Sequence, residues 1–501
     1  MQIQFGCMQW NYNNEGGKIV PVIWDALHVV NPHMAFCGKS GSGKSHQLRR
    51  AVHAASRTSQ TPVRFHIFDR HGDLRIPGES AVRFSESSPY GFNPLEVNPD
   101  PHFGGVRRAI QKFLAGVNRT ATHKLGPLQE ALMRRLLEEL YASRGYNKDD
   151  YRTWLPDDPA EIAAKMYGKD NRIFLDVPYS QRERVKELGA RWDADLRAWW
   201  VEREQYAGDL LMWDPKVLFK SSPTLSDAVA FAERKMKAIF LGTNAAAMGH
   251  LAEVNRVAAA VHRLAIKLNK ESRDDELEKL GKRLDDAREK ALASYKAYLH
   301  TAENGRELDE VIHYRSMDVM TSVFERLSNL NSIGIFRNTP PPHDPAARVW
   351  RYDISALESD EAKLFVHFKL SQMFDDARQR GEQPYVRDIA GVDEADMYFD
   401  DDENNILNKI AKEARKFGLG LWAASQSPAH FSEDFISNLG AKVILYIDPT
   451  KWDASAKNLK IERKKIELLR PKYNGLIQII NNNDVKSTYN LTLFPNEKQS
   501  A

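Results

Sequence analysis

Apolar positions fall in short runs punctuated by turn residues near both ends of the chain, and in helical stripes through its middle. The run Met34-Ala-Phe-Cys37 predicts a strand, the Gly/Ser segment after it a loop, and the stretch from about Lys44 to Ala55 a helix. A second strand is expected from Val63 to Phe68, ending at Asp69. Strand, loop, helix and strand in this order open an α/β sheet. Residues 105–145 read as helical, with Pro127 suited to a helix start and Leu128, Leu132, Leu136 and Leu140 on one face. From 224 to 330 the chain is helical and highly charged, and Leu277, Leu280, Leu284, Ala287 and Ala291 recur at spacings of three and four. That pattern predicts a helical hairpin or coiled-coil arm. After Thr339-Pro-Pro-Pro342 the α/β alternation resumes, with strands expected near 348–353, 385–392, 419–424, 442–447, 475–480 and 486–493.

The expected organisation is therefore one α/β core split by a long, mostly helical insertion. Its first part is 1–150 and its second 331–501; between them lie a small Trp-rich α+β module, 151–205, and a helical segment, 206–330. At 501 residues the chain exceeds what one core of ~100–200 residues holds. Lys and Arg number 71 against 68 Asp and Glu, which excludes a wholly basic binder and leaves nucleic-acid contact to a local patch or to symmetry. Only Cys7 and Cys37 are present, excluding a disulfide scaffold or a cysteine-built zinc site and fitting a reducing compartment. No apolar run approaches the ~18 residues of a membrane span, and the N-terminus lacks signal-peptide character. A cytoplasmic protein without direct membrane insertion is expected.

Gly38-Lys-Ser-Gly-Ser-Gly-Lys44-Ser45 matches the phosphate-loop pattern in full, between an apolar strand and a helix. The candidate ATP-binding set is Gly38, Ser40, Gly41, Ser42, Gly43, Lys44, Ser45 and His46. Glycines let backbone N–H groups converge on phosphate oxygens, and the helix adds its positive end. Lys44 would reach the β- and γ-phosphates and Ser45 would ligate Mg²⁺. Cys37 reads as a small buried strand residue. The alternative for the loop is a plain flexible turn.

ATP hydrolysis needs a carboxylate on the metal and a second to polarise water. Asp393 and Glu394, at the end of Tyr385–Val392, supply the pair as metal ligand and general base. Arg387, Asp388 and Gly391 interrupt this strand, and the run Asp400 to Glu403 makes an ordinary acidic loop the alternative. Leu419-Gly-Leu-Trp-Ala-Ala424 reads as a buried strand closed by Ser425-Gln426. Gln426 is a candidate γ-phosphate sensor or a simple cap. Arg415 is a candidate for stabilising transition-state charge on a neighbouring subunit's ATP, or a helix-end residue complementing the dipole.

Together these pieces resemble the FtsK–HerA superfamily of P-loop motors, in particular HerA-type DNA translocases and the conjugation ATPases of type IV secretion systems. The resemblance is carried by Gly38 to Ser45, Ile67-Phe-Asp69-Arg-His-Gly72-Asp73, Phe92-Asn-Pro-Leu95, Asp393-Glu394, and Arg415-Lys-Phe-Gly418 through Ser425-Gln426. It covers about 20–150 and 310–495. Departures are Ala414 where glycine is common, Asp73 where glutamate is usual, and a phosphate loop starting at residue 38, where the family carries a large preceding domain. The resemblance implies a RecA-like P-loop NTPase core, ATP and Mg as cofactors, and a homo-oligomeric ring, a hexamer, moving DNA through a central channel. Conjugation, mobile-element transfer and phage defence are the settings it suggests. Two other readings stand beside it: a type IV secretion ATPase energising protein or pilus transport, and an ATP-dependent scaffold or regulator of a partner nuclease or toxin; a partner nuclease or conjugation proteins are the protein partners expected.

A second, local resemblance covers Ile173 to Tyr179, Lys186 to Asp193, and Arg197 to Val201, which look like a small domain of unknown function found in mobile-element proteins. Across 171–203 seven basic residues face six acidic ones, so charge alone does not argue for DNA. Trp192, Trp199 and Trp200 either build a tiny core or stack on unpaired bases. Over 451–472 eight Lys and Arg meet three acidic residues, which reads as a solvated helix face or as the rim of a ring channel.

Overall fold

Alternating apolar segments place fourteen strands among the described residues. They are β1 (Gln2–Met8), β2 (Pro21–Asp25), β3 (Met34–Cys37), β4 (Arg64–Asp69), β5 (Glu79–Arg83), β6 (Arg172–Leu175), β7 (Arg191–Asp193) and β8 (Ala198–Glu202). After the insertion come β9 (Val349–Asp353), β10 (Asp388–Val392), β11 (Leu419–Ser425), β12 (Ala441–Ile444), β13 (Asn474–Ile479) and β14 (Asn490–Leu493). The structure is a computed structural model that describes residues 1–120, 124–158, 165–169, 171–175, 177, 181–206, 210, 213, 216, 218, 220–241, 245–267, 274–300, 317–484 and 487–495. Asp176 and Tyr179 of the Trp-rich motif, and 301–316 of the expected helical segment, lie outside them.

By internal contacts the chain divides into two units. The first comprises Met1–Pro94, Lys112–Lys124 and Ser332–Ala501. It is built on an 11-stranded sheet ordered β2-β1-β14-β13-β12-β3-β11-β10-β4-β9-β5. From β12 to β5 all neighbours run parallel. The remaining four strands extend the β12 edge in antiparallel fashion. Parallel strands are covered on both faces, and accordingly every residue of β3 and β11 is buried. Trp422 anchors one face: its ring packs against Trp24, Phe65 and Phe36 at centroid distances of 5.9, 5.6 and 6.3 Å. Its indole N–H donates to Pro32 O at 3.0 Å.

The three residues that interrupt the expected strand Tyr385–Val392, of which β10 forms the last five positions, have structural causes. A Cβ at Gly391 would lie 2.7 Å from Ile67 Cδ1 on β4, so a side chain there would overpack the sheet. Asp388 meets Arg380 at 2.5 Å and His66 at 3.4 Å. Although burial opposes it, the hydrogen bond with His66 and the charge of Arg380 hold the Asp388 carboxyl below its usual range. Arg387 donates to Tyr385 Oη at 2.8 Å.

The second unit comprises Leu95–Gln111 and Leu125–Asn331. Helix Pro127–Ser143 starts at the expected proline, but its buried stripe is Met133, Leu136, Leu137, Leu140 and Tyr141. Leu128 is exposed and Leu132 half-buried, because Met133 and Tyr141 supply larger apolar surface one residue round the helix. Helices Ala245–Lys267 and Asp274–His300 pack along one another. Leu284, Ala287 and Ala291 are buried in that hairpin. The Trp-rich segment forms a three-stranded antiparallel sheet, β6-β8-β7, with the short helix Arg182–Glu187. Trp200 is buried, with the Arg172 guanidinium 3.9 Å from its ring centroid, whereas Trp192 is 51% exposed. One tryptophan therefore builds the core and another faces solvent. Among the described residues no helix is long and apolar enough to cross a membrane.

Candidate functional site

Register brings the carboxyl ends of the parallel strands together. Ser425 pairs with Cys37, Val392 with both Ala423 and Phe68, and Asp69 with Asp353. Segments leaving these ends therefore share one edge of the sheet, where open α/β folds bind ligands.

The first segment is the phosphate loop. Its Gly38 N–H donates to Ser425 O at 3.0 Å and its Lys39 N–H to Tyr446 O at 2.8 Å, fastening it to both neighbouring strands. Gly43, at φ 101°, occupies the left-handed region that glycine tolerates and begins helix Lys44–Thr58. The first N–H groups of that helix have no partner within it. Ser40 and Gly41 are exposed, and Ser45 and His46 are half-buried at the helix start. Lys472, which the sequence placed only in a basic run, lies beside the loop: its N–H donates to Ser42 O at 3.1 Å.

Lys44 is buried and reaches the carboxylate pair, its Nζ 2.8 Å from Glu394 Oε1 and 3.7 Å from Asp393 Oδ1. Burial works against its charge, but the two carboxylates outweigh it and keep the ammonium protonated. Burial pushes the Asp393 carboxyl up to about 6 despite Lys44, with Glu394 and Asp69 adding repulsion. For Glu394 burial is overcome by the Lys44 hydrogen bond, and its carboxyl sits below the usual range. Gln426 Nε2 donates to the other Glu394 oxygen at 3.2 Å. Glu394 itself has φ 51°, a strained conformation for a residue with a side chain, of the kind found at functional sites.

Asp393, Asp69 and Asp73 bring carboxylate oxygens within 4.8 Å of one another. Asp69 is fully engaged: its Oδ1 accepts from the His71 and Gly72 N–H groups, and its Oδ2 from Leu74 N–H and Arg351. Asp73 is exposed. Both Asp393 oxygens and Ser42 Oγ are buried without a hydrogen-bond partner. Unsatisfied oxygens beside a cradle of backbone N–H groups suit hydrated Mg²⁺ and a nucleotide's phosphates. Sequence reasoning named Ser45 and Asp393 for the metal and did not give Asp69 or Asp73 that role. The available signal was that Asp69 closes a strand destined to pair beside β10.

Arg415 lies elsewhere. It sits in the turn Ala414–Phe417 at the amino end of β11, exposed, with Arg378, Lys412 and Lys416 around a cavity of about 480 Å³. The length of β11, ~20 Å at 3.3 Å per residue, separates that end from Gln426. The structure gathers Lys44, Asp393, Glu394 and Gln426 but not Arg415.

Fold and site define a P-loop NTPase architecture. The described structure aligns with VirB4 of Thermoanaerobacter pseudethanolicus at TM-score 0.55 and 13% identity, covering 100% of this chain and 98% of that one. In sequence the chain is 42% identical over 60 residues to the DNA double-strand break repair helicase HerA of Pyrococcus furiosus, 11% of each protein. It is 37% identical over 76 residues to the DNA primase TraC of Escherichia coli, 15% of this chain and 5% of TraC. These matches thus span a small part of either curated relative. Residues 172–215 match a family described as a domain of unknown function, DUF5710. The likeness to HerA is thus one of sequence over a short segment, that to VirB4 is one of fold, and the Trp-rich strands β6, β7 and β8 fall within the residues that match the domain of unknown function.

Proposed function

We propose that this chain is an ATP-driven DNA translocase of the FtsK–HerA type, working as a homo-oligomeric ring. The observation that carries the reading is the convergence of Lys44, Asp393, Glu394 and Gln426 at the carboxyl ends of adjacent parallel strands. Lys44 would neutralise the β- and γ-phosphates, and Ser45 and Asp393, with Asp73 nearby, would hold Mg²⁺, which supplies charge neutralisation on the phosphates when bound. Glu394 would take the proton from the attacking water, held in place by Gln426. Its bond to Lys44 would loosen as phosphate oxygens draw the ammonium away. Arg415, remote from its own loop, would serve a neighbouring subunit's nucleotide in a hexamer. The HerA match supports DNA as the substrate.

The test is ATP turnover with and without single- and double-stranded DNA, together with native mass, for the wild type and Lys44→Ala. DNA-stimulated turnover by a ring, lost in a folded Lys44→Ala protein, is expected. Turnover indifferent to DNA would favour a secretion motor, and turnover intact in Lys44→Ala would refute the site.

A further inference from the structure

A second built site lies on the same sheet, using residues outside the phosphate loop and the carboxylate pair. Strand alternation turns Ala441 and Val443 into the apolar core. Lys442, between them, points to the opposite face, where a cavity of about 470 Å³ opens beside helix Trp452–Leu459. Lys442 is 6% exposed. Its ammonium donates to Gln478 Oε1 at 2.8 Å and, among the described residues, pairs with no carboxylate. Gln478 is oriented by its own Nε2, which donates to Ser487 O at 2.8 Å. Two residues that line the cavity each keep a buried polar atom without a partner: Tyr489 its Oη and Asn458 its Oδ1. The Asn458 amide is fixed too, because its Nδ2 donates to Phe431 O at 2.7 Å. Lys460, Lys465, Glu433 and Glu462 line the same cavity.

The spare valences define an occupant. Lys442 retains two charged N–H donors, which call for anionic oxygen, and Tyr489 an O–H, which calls for an acceptor oxygen. Asn458 Oδ1 calls for a donor. We propose that this cavity binds a small oxyanion that also carries an O–H or N–H group, a protonated phosphate or a hydroxy-carboxylate. A buried ammonium without a counter-ion is costly, and the anion would relieve that cost. Burial lowers Lys442 to about 8, so the ammonium still predominates at neutral pH. The volume is in the range of small-molecule sites, ~300–1,000 Å³.

Calorimetric titration of the full chain with potassium phosphate, and separately with sodium malate, at constant ionic strength tests this. Wild type, Lys442→Met, Tyr489→Phe and Lys44→Ala are compared. We expect at least one anion to bind at a site that Lys44→Ala retains. Affinity should fall roughly 10- to 100-fold in Lys442→Met, the span of a charged hydrogen bond, and severalfold in Tyr489→Phe. Phosphate binding without malate assigns phosphate, and the converse assigns a hydroxy acid; either supports the site. Should Lys442→Met not fold, Tyr489→Phe carries the comparison. Equal affinity in all variants, binding lost only in Lys44→Ala, or no binding of either anion would overturn the proposal. So would Lys442-dependent binding of a single-stranded oligonucleotide alone, which would make a nucleic-acid backbone the occupant.

Discussion

Arg351→Met tests how the metal-side loop is held. Arg351, on β9, is 7% exposed and Asp69 is fully buried. The guanidinium bridges Asp69 Oδ2 at 3.0 Å and Glu79 Oε1 at 2.9 Å. Methionine keeps much of the aliphatic volume and removes the charge, so packing loss is small and the effect is electrostatic. Removing one partner of a buried ion pair costs ~3–5 kcal/mol, because the other charge stays buried and uncompensated. Asp69 retains three backbone N–H donors, from His71, Gly72 and Leu74, which places the expected cost near the lower bound, about 3 kcal/mol. Against a typical total of ~5–15 kcal/mol this is a large loss. Hydrogen exchange read at the Gly72 and Leu74 amides reports local opening directly, without assuming that the two units unfold together. Exchange there should accelerate by roughly 100-fold, since each 1.4 kcal/mol is about tenfold. Asp69→Asn in the same background removes the stranded charge and should recover part of the loss. Protection unchanged in Arg351→Met, or no recovery in the double variant, would show that the ion pair does not organise this loop.

Glu394→Gln keeps the side chain's size and its reach to Gln426 but cannot accept a proton; nucleotide binding should persist while turnover in a steady-state assay falls ~100-fold or more. Arg415→Ala should bind nucleotide normally and lose hydrolysis, and mixing its subunits with Glu394→Gln subunits should restore some turnover; full activity of Arg415→Ala alone returns that residue to a helix-end role. The Lys442 ammonium, lowered by burial to about 8 from 10.5, binds protons less readily folded than unfolded. Stability should therefore rise as pH climbs from about 8 towards 10.5. Glu433, Glu462, Lys460, Lys465 and Tyr489 line the same cavity and are present in both proteins, so urea midpoints should lose this rise in Lys442→Met. An identical pH dependence in the two proteins would contradict the lowered value.

The local chain determined much of this protein. The phosphate loop is contiguous, its glycines and lysine are set by backbone conformation and charge within eight residues, and flanking apolar runs mark strand and helix without reference to the rest. Strands β3, β4, β9, β10, β11 and β13 were legible for the same reason, since alternating or continuous burial leaves its pattern in the sequence. What tertiary structure decided was every pairing between distant segments. Which strands are neighbours, and in what register, put Glu394 against Lys44 and Gln426, and set Asp69 and Asp73 beside Asp393. Nothing near Arg351 announces a partner at Asp69, and nothing near Lys472 announces the phosphate loop. The face of helix Pro127–Ser143 was misjudged by one residue because leucine spacing alone does not weigh Met133 and Tyr141. The Lys442 cavity is the extreme case: its polar groups come from β12, β13, a helix end and the segment before β14. Hydrophobic period acts over a few residues and survives in the sequence, whereas burial of a charge is a property of what folds over it.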